Sequence, residues 1–237
     1  MRLLGHMVTR NEGDRYLRQA LRSLRMVCSD VAVFDDASTD NTVDIALQEG
    51  AYVECRDDDE ISFAEHEGRF RQLAWEWMER DLKPEPGDWI LSLDADEVLV
   101  TDDGDPGIIY KILTQTAAAH PEIQAVRMKI HEIWALDPPL ERVDGFWGAI
   151  EGARLFRWSP GAKFEDRALG CGSGPGGPMA GGDVRLGAVR IGHLGYVRRE
   201  DRADKYGRYA GRPGHSTQHV KSILTEPTLV PLDGMIR

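Results

Sequence analysis

Short apolar runs alternate with stretches of helical period through the first half of this chain, and the runs stop at polar clusters. Leu3 to Val8 ends at Thr9-Arg10-Asn11-Glu12-Gly13. Val31 to Phe34 ends at Asp35-Asp36-Ala37-Ser38-Thr39-Asp40, and Trp89 to Leu93 runs into Asp94-Ala95-Asp96-Glu97. Between them, Leu17, Ala20, Leu21, Leu24 and Val27 fall at helical spacing, with Asp14 placed to cap that helix. A second helix, from about Asn41 to Gln48, stops at Gly50, and Ala51 to Cys55 reads as another strand. A long helix carries Phe63, Phe70, Leu73, Ala74, Trp77 and Met78 and is closed by Pro84, Pro86 and Gly87. Strands alternating with helices in this way predict an α/β fold with a mostly parallel sheet covered on both faces. Such sheets bind ligands beyond the carboxyl ends of their strands, so the clusters at Asn11, Asp36 and Asp94 to Asp96 are expected to face one site.

The second half carries weaker signals. Ile108 to Ala119 and Arg199 to Tyr209 read as helices, and Ala125 to Ile133, Ala153 to Trp158 and Val189 to His193 as strands. Gly170 to Gly182 is glycine-rich and reads as a loop. It lacks the Gly-Lys-Ser/Thr of a phosphate loop and is expected to be a connector or a lid. The 237 residues suit one domain: residues 1–105 as a ligand-binding half, 106–210 as a second half and 211–237 as a tail.

Charge narrows the partners. Forty acidic residues against 29 basic ones give a net charge of −11, which disfavours a nucleic-acid polymer, whose backbone calls for clustered Lys and Arg. A nucleotide stays compatible, because a bound cation can neutralise a diphosphate locally. Cys28, Cys55 and Cys171 are odd in number and widely spaced, as expected of reduced thiols in a cytoplasmic protein. Neither a signal peptide nor a membrane span is expected.

Two carboxylates one residue apart at a strand end, Asp94 and Asp96, can share a divalent cation, hard oxygen on hard metal. Read without context, the same residues make a solvated acidic turn. Asp36 sits where a strand-end carboxylate accepts hydrogen bonds from a base or ribose, while Ser38 or Asp40 can cap the following helix.

In the order Asn11-Glu12, Asp35 to Thr42, Arg71 and Asp94 to Glu97, these motifs resemble the family 2 glycosyltransferases of GT-A fold, over roughly the first 105 residues. Arg71 is followed by Gln72 where the family has Asn. The resemblance implies a GT-A type α/β fold, a mostly parallel twisted sheet flanked by helices with a smaller acceptor-side β region. It implies a metal-dependent, inverting transfer of a sugar from a nucleotide-sugar donor, a UDP-sugar foremost, to an acceptor hydroxyl. Thr9, Arg10, Asn11, Glu12, Asp36, Arg71 and Asp94 would bind the donor, and Asp94, Asp96 and His193 would hold Mn2+ or Mg2+. His193, with Lys205 and Arg208-Tyr209 after it, matches a late motif of the family. An inverting transfer needs a base for the acceptor hydroxyl. Asp166 is the first candidate, with Glu165 beside it and Glu151 as a second choice; a surface acidic pair is the plain alternative. Trp134, Phe146, Trp147 and Trp158 can stack on a sugar or fill a core. A sugar nucleotidyltransferase and a nucleotide-sugar- or glycan-binding protein without turnover are the other readings of the same residues.

Overall fold

The computed structural model describes residues 1–57, 63, 65–102, 105, 107–119, 122–166, 174–175, 183–211 and 217–236. The first half runs β1 (Leu3–Thr9), α1 (Leu17–Arg25), β2 (Asp30–Asp35), α2 (Thr42–Gln48), β3 (Tyr52–Cys55), α3 (Glu67–Leu82), β4 (Trp89–Ser92) and β5 (Glu97–Thr101). The second runs α4 (Gly107–Ala119), β6 (Ala125–Leu136), β7 (Pro139–Arg142), a 3-10 turn (Trp147–Ala149) and β8 (Glu151–Arg157). It ends with β9 (Asp183–His193), α5 (Arg199–Tyr209), α6 (Thr217–Ser222), β10 (Leu229–Pro231) and β11 (Met235–Ile236).

One sheet passes through both halves in the order β11-β5-β9-β6-β8-β4-β1-β2-β3, with β7 and β10 extending from β6. Strands β3, β2, β1 and β4 are mutually parallel. Beyond β4 the sheet turns antiparallel through β8 and β6, and β9 lies parallel to β6 and antiparallel to β5. This is the α/β arrangement expected, a helix-flanked parallel part continued by a region of mixed strands.

Side-chain alternation explains why the sheet takes helices on both faces. Leu3, Met7, Val31 and Val33 pack with Leu17, Leu21 and Leu24 of α1, whereas Leu4, Ala32 and Phe34 pack with Phe70, Ala74 and Met78 of α3. Each of the larger of these side chains contributes about 1.5–3 kcal/mol by leaving water.

His6 lies on the α3 face, wholly buried, with Nδ1 3.1 Å from Ser92 Oγ and its ring edge against Trp75. Burial, helped by the Arg71 guanidinium, pushes its pKa from 6.5 down to about 3. Below pH 6.5 the unfolded chain takes up a proton that the folded chain refuses. Stability from this group is therefore complete above pH 6.5 and declines as pH falls toward about 3. Urea unfolding between pH 7 and 4 is expected to show a loss that His6→Gln makes shallower by roughly 1.4 kcal/mol per pH unit. Equal slopes in the two proteins would assign the loss elsewhere.

Some boundaries depart from expectation. Asp14 does not cap α1, whose N-cap is Tyr16 without a side-chain bond; the Asp14 carbonyl instead accepts from Arg198. Helix α3 starts at Glu67, after Phe63, and β5 and β7 were not foreseen. The 211–237 tail contains α6 and two strands that rejoin the sheet. Most of Gly170 to Gly182, including Cys171, lies outside the described residues, as do Asp58 to Glu60.

Candidate functional site

Strands β1 and β2 end side by side, with Thr9 opposite Asp35, and their loops are stitched together. The Asn11 amide donates to Ser38 Oγ at 2.8 Å, and Asn11 Oδ1 accepts from the Thr39 amide at 2.8 Å. The Glu12 amide donates to Thr42 Oγ1, and the Gly13 amide to Asp40. Ser38 donates through both its amide and its hydroxyl to Asp35, which also accepts from Thr9 Oγ1. Asn11 and Ala37 are left-handed, at φ 52° and 53°, a conformation that costs an alanine about 1–2 kcal/mol. The side chains of Thr9 and Asn11 are thus engaged in holding this edge, and what the loop offers outward is Arg10.

Asp36 is fully buried, and both of its oxygens are taken: Arg10 approaches one at 3.2 Å and Arg56 the other at 2.8 Å. Arg56 in turn lies over the Phe70 ring. A base could reach the Asp36 carboxylate only after Arg10, whose side chain is 38% exposed, swings away. Glu12 pairs with Arg15 through Oε1, while Oε2 is buried without a hydrogen-bond partner; burial pushes this carboxyl up to about 7 against the pull of Arg15.

The acidic turn follows β4. Arg71, buried in the first turns of α3, bridges Glu67 at 2.8 Å and Asp94 at 3.0 Å. Burial raises the Asp94 pKa, but Arg71 and Arg154 outweigh it and hold the carboxyl below its ordinary value. Glu97, the first residue of β5, is locked to Arg154 of β8 through two bonds, one of 2.7 Å.

Asp96 lies deeper. Its Oδ2 is 3.0 Å from Lys205 Nζ and 3.2 Å from His193 Nε2, and those two nitrogens are 2.8 Å apart. Strand register brings these groups together. In the β5–β9 pair Glu97 is opposite His193, and in the β6–β9 pair Glu132 is opposite His193. Glu132 Oε2 sits 2.6 Å from His193 Nδ1 and fixes the ring, leaving Nε2 aimed at Asp96 and Lys205. That nitrogen accepts from Lys205 when unprotonated and donates to Asp96 when protonated. Burial and Lys205 oppose the imidazolium, yet Glu132 and Asp96 push the His193 pKa up to about 10. Either way, positive charge occupies the space between Asp96 and His193.

Gly195 makes that space. A Cβ there would lie 2.2 Å from Asp96 Oδ2 and 2.3 Å from Lys205 Nζ. Gly195→Ala is therefore expected to force the ion pair apart and cost about 1–3 kcal/mol in urea unfolding. Unchanged stability would show that the Asp96–Lys205 contact gives way freely.

Asp166 is 53% exposed and pairs with His66 at 3.1 Å, just ahead of α3. Glu165 lies beside it: a Cβ on Gly68 would meet its backbone carbonyl at 1.7 Å. Both sit over the first turn of α3, one turn before the Arg71 that reaches Asp94. Of the aromatics, Trp134 and Trp147 are buried around Tyr196, which stacks on Trp134, and they belong to the core. Trp158 donates to Glu79, and Phe146 stays exposed against His219.

Glu132, Arg154, Arg56 and Gly195 escaped the sequence reading. A signal existed for Glu132: with His131 it breaks the alternation of Val126, Met128 and Ile130 with Arg127 and Lys129, and polar residues buried there need partners.

Among the described residues no group of three or more His, Cys, Asp or Glu side chains converges as a metal would require. Asp96 and His193 nevertheless address one common point, and Lys205 Nζ marks it as a place for a cation. The donor set, one carboxylate oxygen and one imidazole nitrogen oriented by Glu132, supplies two ligands of the type a divalent ion takes, once the ammonium leaves and the ring gives up its proton.

The fold is an α/β domain whose polar cluster lies at the carboxyl edge of its parallel strands. No family model and no curated protein matches the chain. Among solved structures it is similar to S. aureus TarS 1-349, with 20% identity and a TM-score of 0.38 over 56% of this chain and 36% of that one. It is also similar to that protein in complex with UDP, with 19% identity and a TM-score of 0.38 over 56% of this chain and 36% of that one. A third is glucosyl-3-phosphoglycerate synthase from Mycobacterium tuberculosis in complex with Mn2+, UDP and phosphoglyceric acid. There the identity is 18% and the TM-score 0.37, over 55% of this chain and 43% of that one. The chain thus spans less than half the length of these structures.

Proposed function

We propose that this protein is a glycosyltransferase that moves a sugar from a nucleotide-sugar donor to an acceptor hydroxyl with inversion. The observation that carries the reading is the convergence, at one sheet edge, of the stitched β1 and β2 loops, the Arg71–Asp94 pair and the Asp96–His193–Lys205 cluster. That edge is where parallel sheets take ligands. Arg10 and Asp36 face the base and ribose side, with Arg10 moving off the carboxylate to admit the nucleotide. Asp94 is held by Arg71 with 41% of its side chain exposed, and it is presented to the ribose and diphosphate. Asp96 and His193 would hold Mn2+ or Mg2+, which supplies charge to offset the departing nucleoside diphosphate. Asp166, accessible and steadied by His66, takes the acceptor proton, with Glu165 alongside.

A thermal-shift screen of UDP, GDP, CDP and their sugars, with and without Mn2+, tests the donor site. Binding to the native state raises the melting temperature by mass action. A shift with one nucleotide, UDP being the first to try, is the expected result; no shift with any of them sinks the reading. Asp166→Asn is expected to lower transfer by roughly 100-fold or more, with nucleotide binding unchanged. An unaltered rate would move the base to Glu165 or Glu151.

A further inference from the structure

Lys205 is unusual for a lysine. Its side chain is 7% exposed, its Nζ lies 4.7 Å from the Tyr196 ring centroid, and it is 3.0 Å from Asp96 Oδ2 and 2.8 Å from His193 Nε2. Burying an ammonium costs several kcal/mol unless partners replace its water. Here the Asp96 carboxylate and the Tyr196 face stand in for that water, with His193 Nε2 alongside and a glycine at 195 because no Cβ fits. Asp96 Oδ2 and His193 Nε2 are the two donors that this point offers a divalent ion, and Lys205 Nζ lies within 3.0 Å of both.

We propose that Lys205 is the resident cation of the Asp96–His193 pair, and that a divalent ion binds there only by displacing its ammonium. This deepens the glycosyltransferase reading and rests on it for the pair's place in the donor site. Two cations cannot share the point between Asp96 and His193, since ammonium and metal would repel at hydrogen-bond distance. The apparent metal affinity is therefore the intrinsic affinity reduced by the fraction of time that the lysine is away. A diphosphate arriving at this edge offers the expelled ammonium a new anionic partner. Metal and nucleotide then favour one another by linkage, without any contact beyond their own.

The test is metal binding without nucleotide, followed by the paramagnetic resonance signal of free Mn2+. Lys205→Met keeps the length and the contact with Tyr196 while removing the charge. If the lysine occupies the point nine-tenths of the time or more, the variant binds Mn2+ about tenfold or more tightly than the natural protein. Equal or weaker binding, or none by either protein at millimolar Mn2+, overturns the proposal. The natural protein gives a second reading that needs no variant. Reductive methylation is expected to spare Lys205 without metal and to modify it at saturating Mn2+; protection that persists with metal bound also overturns the exchange. UDP-induced thermal shifts of both proteins keep the two ideas apart. A UDP shift with equal Mn2+ affinities rejects the lysine exchange and leaves the donor site standing. Tighter Mn2+ in the variant with no nucleotide shift supports the exchange and rejects the glycosyltransferase.

Discussion

Asp96→Asn is expected to lower sugar transfer by about a thousandfold, roughly 4 kcal/mol of transition-state stabilisation, while the protein stays folded. Asparagine keeps the shape of the side chain and loses only its charge. The backbone carbonyl of Asp96 still accepts from the Leu194 amide at 2.7 Å, so the junction between the β4–β5 turn and the end of β9 persists. What disappears is the anion that collects positive charge at the edge where the diphosphate would leave. Lys205 would retain His193 alone, and a metal would retain one neutral donor. Initial rates of nucleoside diphosphate release, with thermal melts as the control for folding, check the expectation. A rate within tenfold of the natural protein would place the reaction away from Asp96.

Arg154→Ala is the change expected to cost most in stability, about 3–5 kcal/mol, because it strands Glu97 in the interior. The Glu97 side chain is 3% exposed and that of Arg154 is 11% exposed. The same carboxylate accepts from the Asp94 amide at 3.2 Å, so the pair also braces the acidic turn. For a chain of this length the loss corresponds to a fall of roughly 10 °C in melting temperature. The double substitution Glu97→Met with Arg154→Leu separates the causes, because exchanging both charges for apolar volume is often neutral. Recovery in the double variant would identify the stranded charge as the origin. No recovery would point to the lost Arg154 contacts and the orphaned Asp94 amide.

The parallel half of the fold was legible because its information is local. Leu3 to Val8 and Val31 to Phe34 declare buried strands by composition, Gly50 declares a helix end at φ 76°, and β1, β2 and β4 do end together. The convergence of Asn11, Asp36 and Asp94 at that edge followed from parallel pairing alone. Local reasoning assigned these residues to a ligand and did not foresee what they hold within the protein itself. Asn11 latches two loops and Asp36 lies between two arginines, because a polar residue at a strand end serves its neighbours before it serves a ligand. Strand β5 was hidden because Glu97 and its neighbours read as the continuation of an acidic turn. For the surroundings of Asp96, only the family resemblance pointed to His193 and Lys205, and Glu132 was not foreseen. Glu132 and His193 are brought to it by the registers of β6, β9 and β5 and Lys205 by α5, and no periodicity records which strand lies beside which.

The distance along the chain between Asp96 and its cations has a consequence for how the protein comes into being. His193 and Lys205 follow Asp96 by 97 and 109 positions. At about 5–20 residues per second, a ribosome delivers the acidic turn roughly 5–20 seconds before the charges that neutralise it. Arg71 is already present to receive Asp94, but Asp96 and Glu97 must wait in water for strands not yet made. A product abandoned before the α5 helix would therefore carry the parallel part of the sheet and still lack the Lys205 partner of Asp96. The Asp96–His193–Lys205 cluster closes only once α5 has been made.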